Sequence, residues 1–353
     1  MMKAAVWHGR FDIRVEQVPE PSPGPREVKV EVAWCGISGT DVHEYESGPI
    51  MIAAHGSHPL TGKRAPIVMG HELSGRVVEL GSSVKSVSVG DRVAANSIIS
   101  CGTCRACLSG FSNVCEVGAL IGLSSDGAFA RFVCLPEQTL YRLPDALDLA
   151  HAALLEPMST GVRAIRRARL QAGERIAVIG GGTIGMGVLQ AGLALGASDV
   201  LLIEPVAQRR AIGERLGARA IDPQDTRALA AEANRVDVVA SCVSPDQTAA
   251  LGIELLRVHG RLVIVGLSLE STLLDLNRLL VGEREILGTA GRVHRDDFPT
   301  LASLMLRGVV DAEAMITTRI GLDDIVHKGF EAMREQKDTH LKILVDPSDL
   351  TSS

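Results

Sequence analysis

The run RIAVIGGGTIGMGVLQAGLALGA, from Arg175 to Ala197, joins a short apolar strand to a helix through a glycine-rich turn. This joint constrains the fold strongly. A strand that runs straight into a helix belongs to a parallel sheet, because parallel neighbours need a crossover. The pattern then repeats. DVLLIE, ARAID, VDVVASCV, RLVIVG and EILGTAG read as strands, and QRRAIGERLGA and DQTAALGIELLRV read as the helices between them. Strands alternating with helices of about 10–15 residues imply βαβ units and a doubly wound sheet.

Gly180, Gly182 and Gly185 fit the pattern G-x-G-x-x-G. The first glycine allows the tight turn, the second lets a pyrophosphate approach the backbone, and the third lets helix and sheet pack closely. Thr183 and Ile184 open the helix, where free N–H groups face phosphate oxygens. Glu204 ends the next strand about 20 residues on, where an acid accepts the ribose hydroxyls. A carboxylate there repels a 2′-phosphate and favours NAD. Arg209 and Arg210 lie close by, and an arginine could instead hold that phosphate.

Upstream of about Leu154 the chain reads as β. KAAVWH, IRVEQV, EVKVEVAW, LSGRVVEL and DRVAAN are short strand-like runs broken by Gly, Pro and Ser, which suits a compact, partly open barrel. Residues 45–66 are rich in Gly and Pro and read as a surface loop that carries His55 and His58. The last segment, from LDDIV to KILV, reads as an amphipathic helix and one strand that return to the first domain. The expected domains are 1–155, with a return from about 295 to 353, and 156–294.

The run CGTCRACLSGFSNVC places Cys101, Cys104, Cys107 and Cys115 within one short stretch. Two-residue gaps let a tight turn aim successive sulfurs at one point, and four thiolates make a closed tetrahedral zinc site. A closed site leaves no position for substrate, so this zinc is structural. The competing uses are disulfides and an iron–sulfur cluster. Seven cysteines is an odd number, and no further cluster suggests an electron-transfer path.

With 353 residues the chain is long enough for two domains of about 100–200 residues each. Aromatic residues are only 3%, so the cores must be aliphatic. A net charge of -6 argues against a nucleic-acid surface. No apolar run reaches the roughly 18 residues of a membrane span. The start, MMKAAVWHGRFDIRVE, shows no charged-then-apolar leader, so a cytoplasmic protein is expected.

Taken with Gly70, His71 and Glu72, and with Leu155, Glu156 and Pro157, these motifs carry a family resemblance in order and spacing. The chain resembles a zinc-dependent medium-chain dehydrogenase/reductase over nearly its whole length. WCGISGTDVHEYESGPI and HPLTGKRAPIVMGHE are most similar to 2,3-butanediol dehydrogenases, with sorbitol dehydrogenases next. The resemblance implies a GroES-like catalytic domain, a Rossmann cofactor domain and a catalytic zinc in the cleft between them. It also implies NAD as cofactor, a small secondary alcohol (a vicinal diol or polyol) as substrate, and a homodimer or homotetramer.

In that family the catalytic zinc is held by a cysteine of G-I-C-G-[ST]-D, by the histidine of GHE and often by the adjacent glutamate, with the glutamate of the EP motif close by. His71, Glu72 and Glu156 match, but Ser38 stands where the cysteine belongs. Cys35 lies three residues earlier, roughly 10 Å along an extended strand. By resemblance, Thr40 hydrogen-bonds the alcohol oxygen, His43 passes a proton towards solvent and Asp41 orients a ligand. The plain alternatives are a turn hydroxyl, a surface histidine and a turn aspartate. Three outcomes are open at the metal: zinc held more weakly by His71, Glu72 and Glu156; an empty site; or a serine that is an introduced change and weakens catalysis. The rival functions are an NAD-binding relative with an impaired or metal-free site and a zinc-free reductase of the same fold.

Overall fold

In the computed structural model, residues 1–267, 271–336 and 338–348 are described. The first strands are β1 (Met2–Gly9), β2 (Asp12–Val18) and β3 (Glu27–Gly36), followed by helix α1 (Gly39–Ser47). Next come β4 (Ile67–Val68), β5 (Glu72–Leu80), β6 (Arg92–Ala95), β7 (Ile98–Ile99), α2 (Arg105–Leu108), β8 (Ala119–Leu120), β9 (Phe132–Pro136) and β10 (Leu140–Arg142). α3 (Leu149–Ala153) and α4 (Leu155–Ala168) lead into β11 (Arg175–Ile179), α5 (Thr183–Ala194), β12 (Asp199–Ile203), α6 (Ala207–Arg215) and β13 (Arg219–Ile221). α7 (Thr226–Ala231), β14 (Val236–Ser241), α8 (Pro245–Leu255), β15 (Leu256–Ile264), α9 (Leu276–Gly282), β16 (Glu285–Gly288) and α10 (His294–Leu306) follow. β17 (Thr318–Gly321), α11 (Ala332–Glu335) and β18 (Ile343–Asp346) close the described chain.

Two compact units emerge. One holds Met1–Glu156, Val293–Phe298 and the chain from Ile316 onward; the other holds Pro157–Arg292 and Pro299–Met315. The sequence suggests an unbroken return from about 295. Instead α10 changes allegiance at Pro299, inside the helix. Side-chain bonds explain why 299–315 stays with the second unit. Arg166 donates to Thr300 Oγ1 at 2.7 Å, and Gln190 exchanges bonds with Asp311 at 3.2 and 2.6 Å. Positions 349–353 of the expected return lie outside the described residues.

The first unit is built on two main sheets. β2-β1-β4 form one, and β10-β6-β5-β3-β18-β17 form the larger, with β9 also pairing β3. A single bridge, Ala4 to Ala130, links their neighbourhoods. β3 is central because EVKVEVAWCG buries Val28, Val30, Val32 and Cys35 in the main aliphatic core. β18 pairs antiparallel with β3 through Leu344 and Gly36, and β5 pairs with it through Glu72 and Gly36. Three distant segments therefore meet at the end of β3. The expected amphipathic helix near 325 forms, but as a π-helical stretch, Ile325–Glu331, continued by α11.

The second unit is a six-stranded parallel sheet of order β13-β12-β11-β14-β15-β16. Ala177, Ile179, Leu201, Ile203 and Val239 pack there against Ile253 and Leu262. The inner strands β11, β12 and β14 are buried on both faces, as strands covered by helices must be. Among the described residues no helix is long and apolar enough to cross a membrane.

Candidate active site and metal centres

Ser38 starts α1. Its Oγ accepts the Thr40 N–H at 3.2 Å, and Asp41 Oδ2 accepts the Ser38 N–H at 3.0 Å, a reciprocal capping box. The other Asp41 oxygen lies 3.3 Å from His71 Nδ1. One carboxylate thus closes the helix start and faces the imidazole. A proton on Nδ1 facing Asp41 leaves Nε2 as the electron-pair donor, the arrangement that ligand histidines use.

His71 lies one residue before β5, and Gly70 makes that placement possible. Gly70 has φ +96°, and a Cβ there would sit 2.9 Å from Cys35 Sγ and 2.8 Å from the Phe129 ring. Glu72 opens β5. Glu156 enters from the first turn of α4, next to the fully buried Leu154 and Leu155. Ligand atoms of His71, Glu72 and Glu156 all lie within 4.8 Å of one another, and all three residues are buried. One nitrogen and two carboxylate oxygens at that separation suit a divalent cation such as zinc. Cys35 is not in this group. It is fully buried on β3, and burial pushes its thiol well above the ordinary range.

Thr40 is half-buried on α1, and His43 on the same helix is exposed. Two further residues escape sequence reasoning. Lys342 donates from Nζ to Glu72 Oε2 at 2.6 Å, a buried ion pair. As one lysine in the strand-like LKILV it reads as solvent-facing; only the need to balance buried carboxylates hints at it. Glu44, on α1, accepts the N–H groups of Ile50, Met51 and Ile52 at 2.8, 2.9 and 3.3 Å. A buried carboxylate therefore organises part of the 45–66 loop.

Cys101, Cys104, Cys107 and Cys115 form a second group within 4.8 Å, and none is in a disulfide. Cys101 and Cys107 sulfurs are 4.0 Å apart, and those of Cys104 and Cys115 are 3.9 Å apart. A tetrahedron with Zn–S bonds of about 2.3 Å needs sulfur separations of about 3.8 Å. The hydroxyl and N–H of Thr103 and the N–H of Cys104 point at Cys101 and lower its thiol to about 6. Burial pushes Cys107 up to about 12. Four thiols this close cannot all ionise unless a cation neutralises them, and the donor set fits zinc.

In the second unit, Gly180 has φ +98°, and a Cβ at Gly185 would lie 1.8 Å from the Gly180 carbonyl oxygen. A Cβ at Gly182, the N-cap of α5, would meet nothing within 4 Å, and no side chain caps this helix. Thr183 and Ile184 form its first turn, so the turn is an open cradle at a helix N-terminus, suited to phosphate. Glu204 is buried, and its two oxygens accept the Gly181 N–H at 2.5 Å and the Val206 N–H at 2.9 Å. Arg210 turns to the carbonyls of Glu204 and Pro205 and to Asp222 Oδ2. Arg209 is half-buried on α6.

The chain is similar to known proteins over nearly its whole length. Residues 24–145 match the alcohol dehydrogenase GroES-like domain, and residues 183–307 match the zinc-binding dehydrogenase family. The chain is 38% identical to (R,R)-butanediol dehydrogenase of Bacillus subtilis, over 98% of this chain and all of that one. It is 30% identical to sorbitol dehydrogenase of the same organism, over 98% of each. The crystal structure of 2R,3R-butanediol dehydrogenase from Bacillus subtilis superimposes with a TM-score of 0.92, over 99% of this chain and 100% of that one. A zinc-binding dehydrogenase from Sinorhizobium meliloti, solved bound to NADP, is 30% identical with a TM-score of 0.85, over 98% of this chain and 99% of that one. The chain therefore belongs to the zinc-type medium-chain dehydrogenases/reductases, and it is an alcohol or polyol dehydrogenase.

Proposed function

We propose that this enzyme interconverts a small secondary alcohol, a vicinal diol or polyol, and its ketone, with NAD as hydride acceptor and zinc in the buried site. The observation that carries this reading is the convergence of His71, Glu72 and Glu156 within 4.8 Å, with Asp41 facing the imidazole. A zinc ion held by these three residues supplies Lewis acidity, which lowers the pKa of an alcohol. Asp41 fixes the His71 ring. Thr40 would hydrogen-bond the alcohol oxygen, and exposed His43 would pass the released proton towards solvent. Ser38 keeps its hydroxyl on the helix start, so its part is to hold Thr40 and Asp41 in place.

The cradle at Gly180, Gly182, Thr183, Ile184 and Gly185 receives the pyrophosphate, and Glu204 receives the adenosine ribose. Its carboxylate supports NAD over NADP, and the commitment of Arg210 to carbonyls and Asp222 supports the same choice. Arg209 flanks this ribose site. The four-cysteine centre holds a structural zinc. β16 is the terminal strand of its sheet, and Leu276, Leu280, Val281 and Ile286 near it are exposed, which supports a homodimer or homotetramer formed along that edge. Seven cysteines with no disulfide among them support a cytoplasmic location.

A panel of diols, polyols and amino-sugar-like alcohols, followed by NADH absorbance with and without added zinc, tests the reading. Turnover of a vicinal diol that falls after chelation and returns with zinc is the expected result. Turnover that survives complete removal of zinc would overturn the zinc-assisted mechanism.

A further inference from the structure

Three carboxylates and one ammonium meet at the end of β3. Asp41, Glu72 and Glu156 are at most 3% exposed, and Lys342 is 1% exposed. Lys342 comes from the residue before β18, where Thr317 Oγ1 accepts its N–H at 3.3 Å and donates to its carbonyl at 2.9 Å. Its Nζ donates to Glu72 Oε2 at 2.6 Å and to the Ile37 carbonyl at 2.8 Å. Gly36 provides the room, since a Cβ there would sit 2.2 Å from Glu72 Oε2. The ammonium is therefore fixed from both sides, by a backbone carbonyl and by the carboxylate.

We propose that Lys342 is an internal counter-charge at the cation pocket, a positioning residue that holds Glu72 and tempers the pocket's affinity for a divalent ion. In a chain that carries Ser38 and no thiolate at that position, Glu72 is shared between this ammonium and the cation pocket. This inference rests on the reading of His71, Glu72 and Glu156 as metal ligands.

Two effects of Lys342 on metal binding oppose each other. Its positive charge repels a cation held by the carboxylate it touches, and screening is weak in a buried site. Its hydrogen bonds keep Glu72 in place. The first effect dominates, because β5 still holds the Glu72 backbone opposite Gly36 when the lysine is gone. Removing the charge thus strengthens cation binding. It also destabilises the metal-free protein, where the buried Glu72 carboxylate then lacks its ammonium.

Lys342→Met keeps the chain length and removes the charge. In the full-length protein, competition with a chromophoric chelator should show zinc binding at this pocket tightened by about tenfold or more. The Tm of the chelator-treated variant should fall, and its gain in Tm on zinc addition should exceed that of the unmodified protein. Lys342→Arg keeps the charge and should bind zinc within about threefold of the unmodified protein. Cobalt substitution separates the two centres, because only the cysteine centre shows thiolate-to-cobalt charge-transfer absorption. If Lys342→Met does not fold, Lys342→Gln goes through the same competition. Unchanged or weaker zinc affinity, with Tm lowered equally in free and loaded samples, overturns the proposal. A second zinc that binds but ignores position 342 defeats this inference alone. A chain that takes only the cysteine-bound zinc in every variant defeats the ligand assignment as well.

Discussion

The hydroxyl of Ser38 accepts the N–H of Thr40 at 3.2 Å, so the residue at the family's thiolate position serves here as a helix cap. A thiol is a much weaker acceptor. Ser38→Cys should therefore cost the metal-free protein about 1 kcal/mol of stability through the weakened cap. In exchange it offers a strong zinc ligand. Metal analysis should move towards two zinc ions per chain, and turnover should rise with it. Filled sites without a gain in turnover would argue against zinc-assisted chemistry in this chain.

Cys104→Ala should release about one zinc per chain and lower stability by about 2 kcal/mol or more, since metal binding at a four-thiolate site is folding free energy. Metal content and thermal unfolding check this together. A variant that keeps its full zinc content and its Tm would remove the structural-zinc assignment.

Glu204→Ala should act twice. It removes the acceptor for the ribose hydroxyls, and it frees the Gly181 N–H inside the glycine turn. Losing a hydrogen bond to a charged group is worth about 1.5–3 kcal/mol, so the preference for NAD over NADP should shrink about tenfold or more. Titrating both cofactors against the unmodified and variant proteins measures the change. Equal affinity for both cofactors in the unmodified protein would refute the role given to Glu204.

Asp199 accepts from Arg219 and Arg175, each at 2.9 Å, and the Arg219 guanidinium in particular holds its carboxyl below the ordinary value. A carboxylate whose folded pKa is depressed stabilises the protein above its unfolded value. That contribution is lost as pH falls through the lower folded value. Asp199→Asn should cost about 1–2 kcal/mol near neutrality, discounted for partial exposure. The gap between the two proteins should begin to close below about pH 4. Urea unfolding across pH reads it directly; a gap that does not change with pH would exclude the charge as its source.

What the sequence determined by itself is local. The four cysteines lie within fifteen residues, so loop spacing alone brings their sulfurs together. Gly180 to Gly185 follow a strand and open a helix, and the glycine turn is a property of that short segment. The parallel sheet is equally legible, because every strand carries its own apolar run and is followed by its own helix. The tertiary structure decided what depends on register between remote strands. Glu72 and Lys342 are 270 positions apart and meet because β5 and β18 both pair with the end of β3. Asp41 reads locally as a turn residue, and only the packing of α1 beside His71 gives it a second partner. Glu204 reads as a ribose acceptor, yet the approach of β12 to the glycine turn also gives its carboxylate two backbone N–H groups. No periodicity encodes such pairs. They follow from which strand edges hydrogen-bond, and that is settled by burial of the whole core rather than by any one segment.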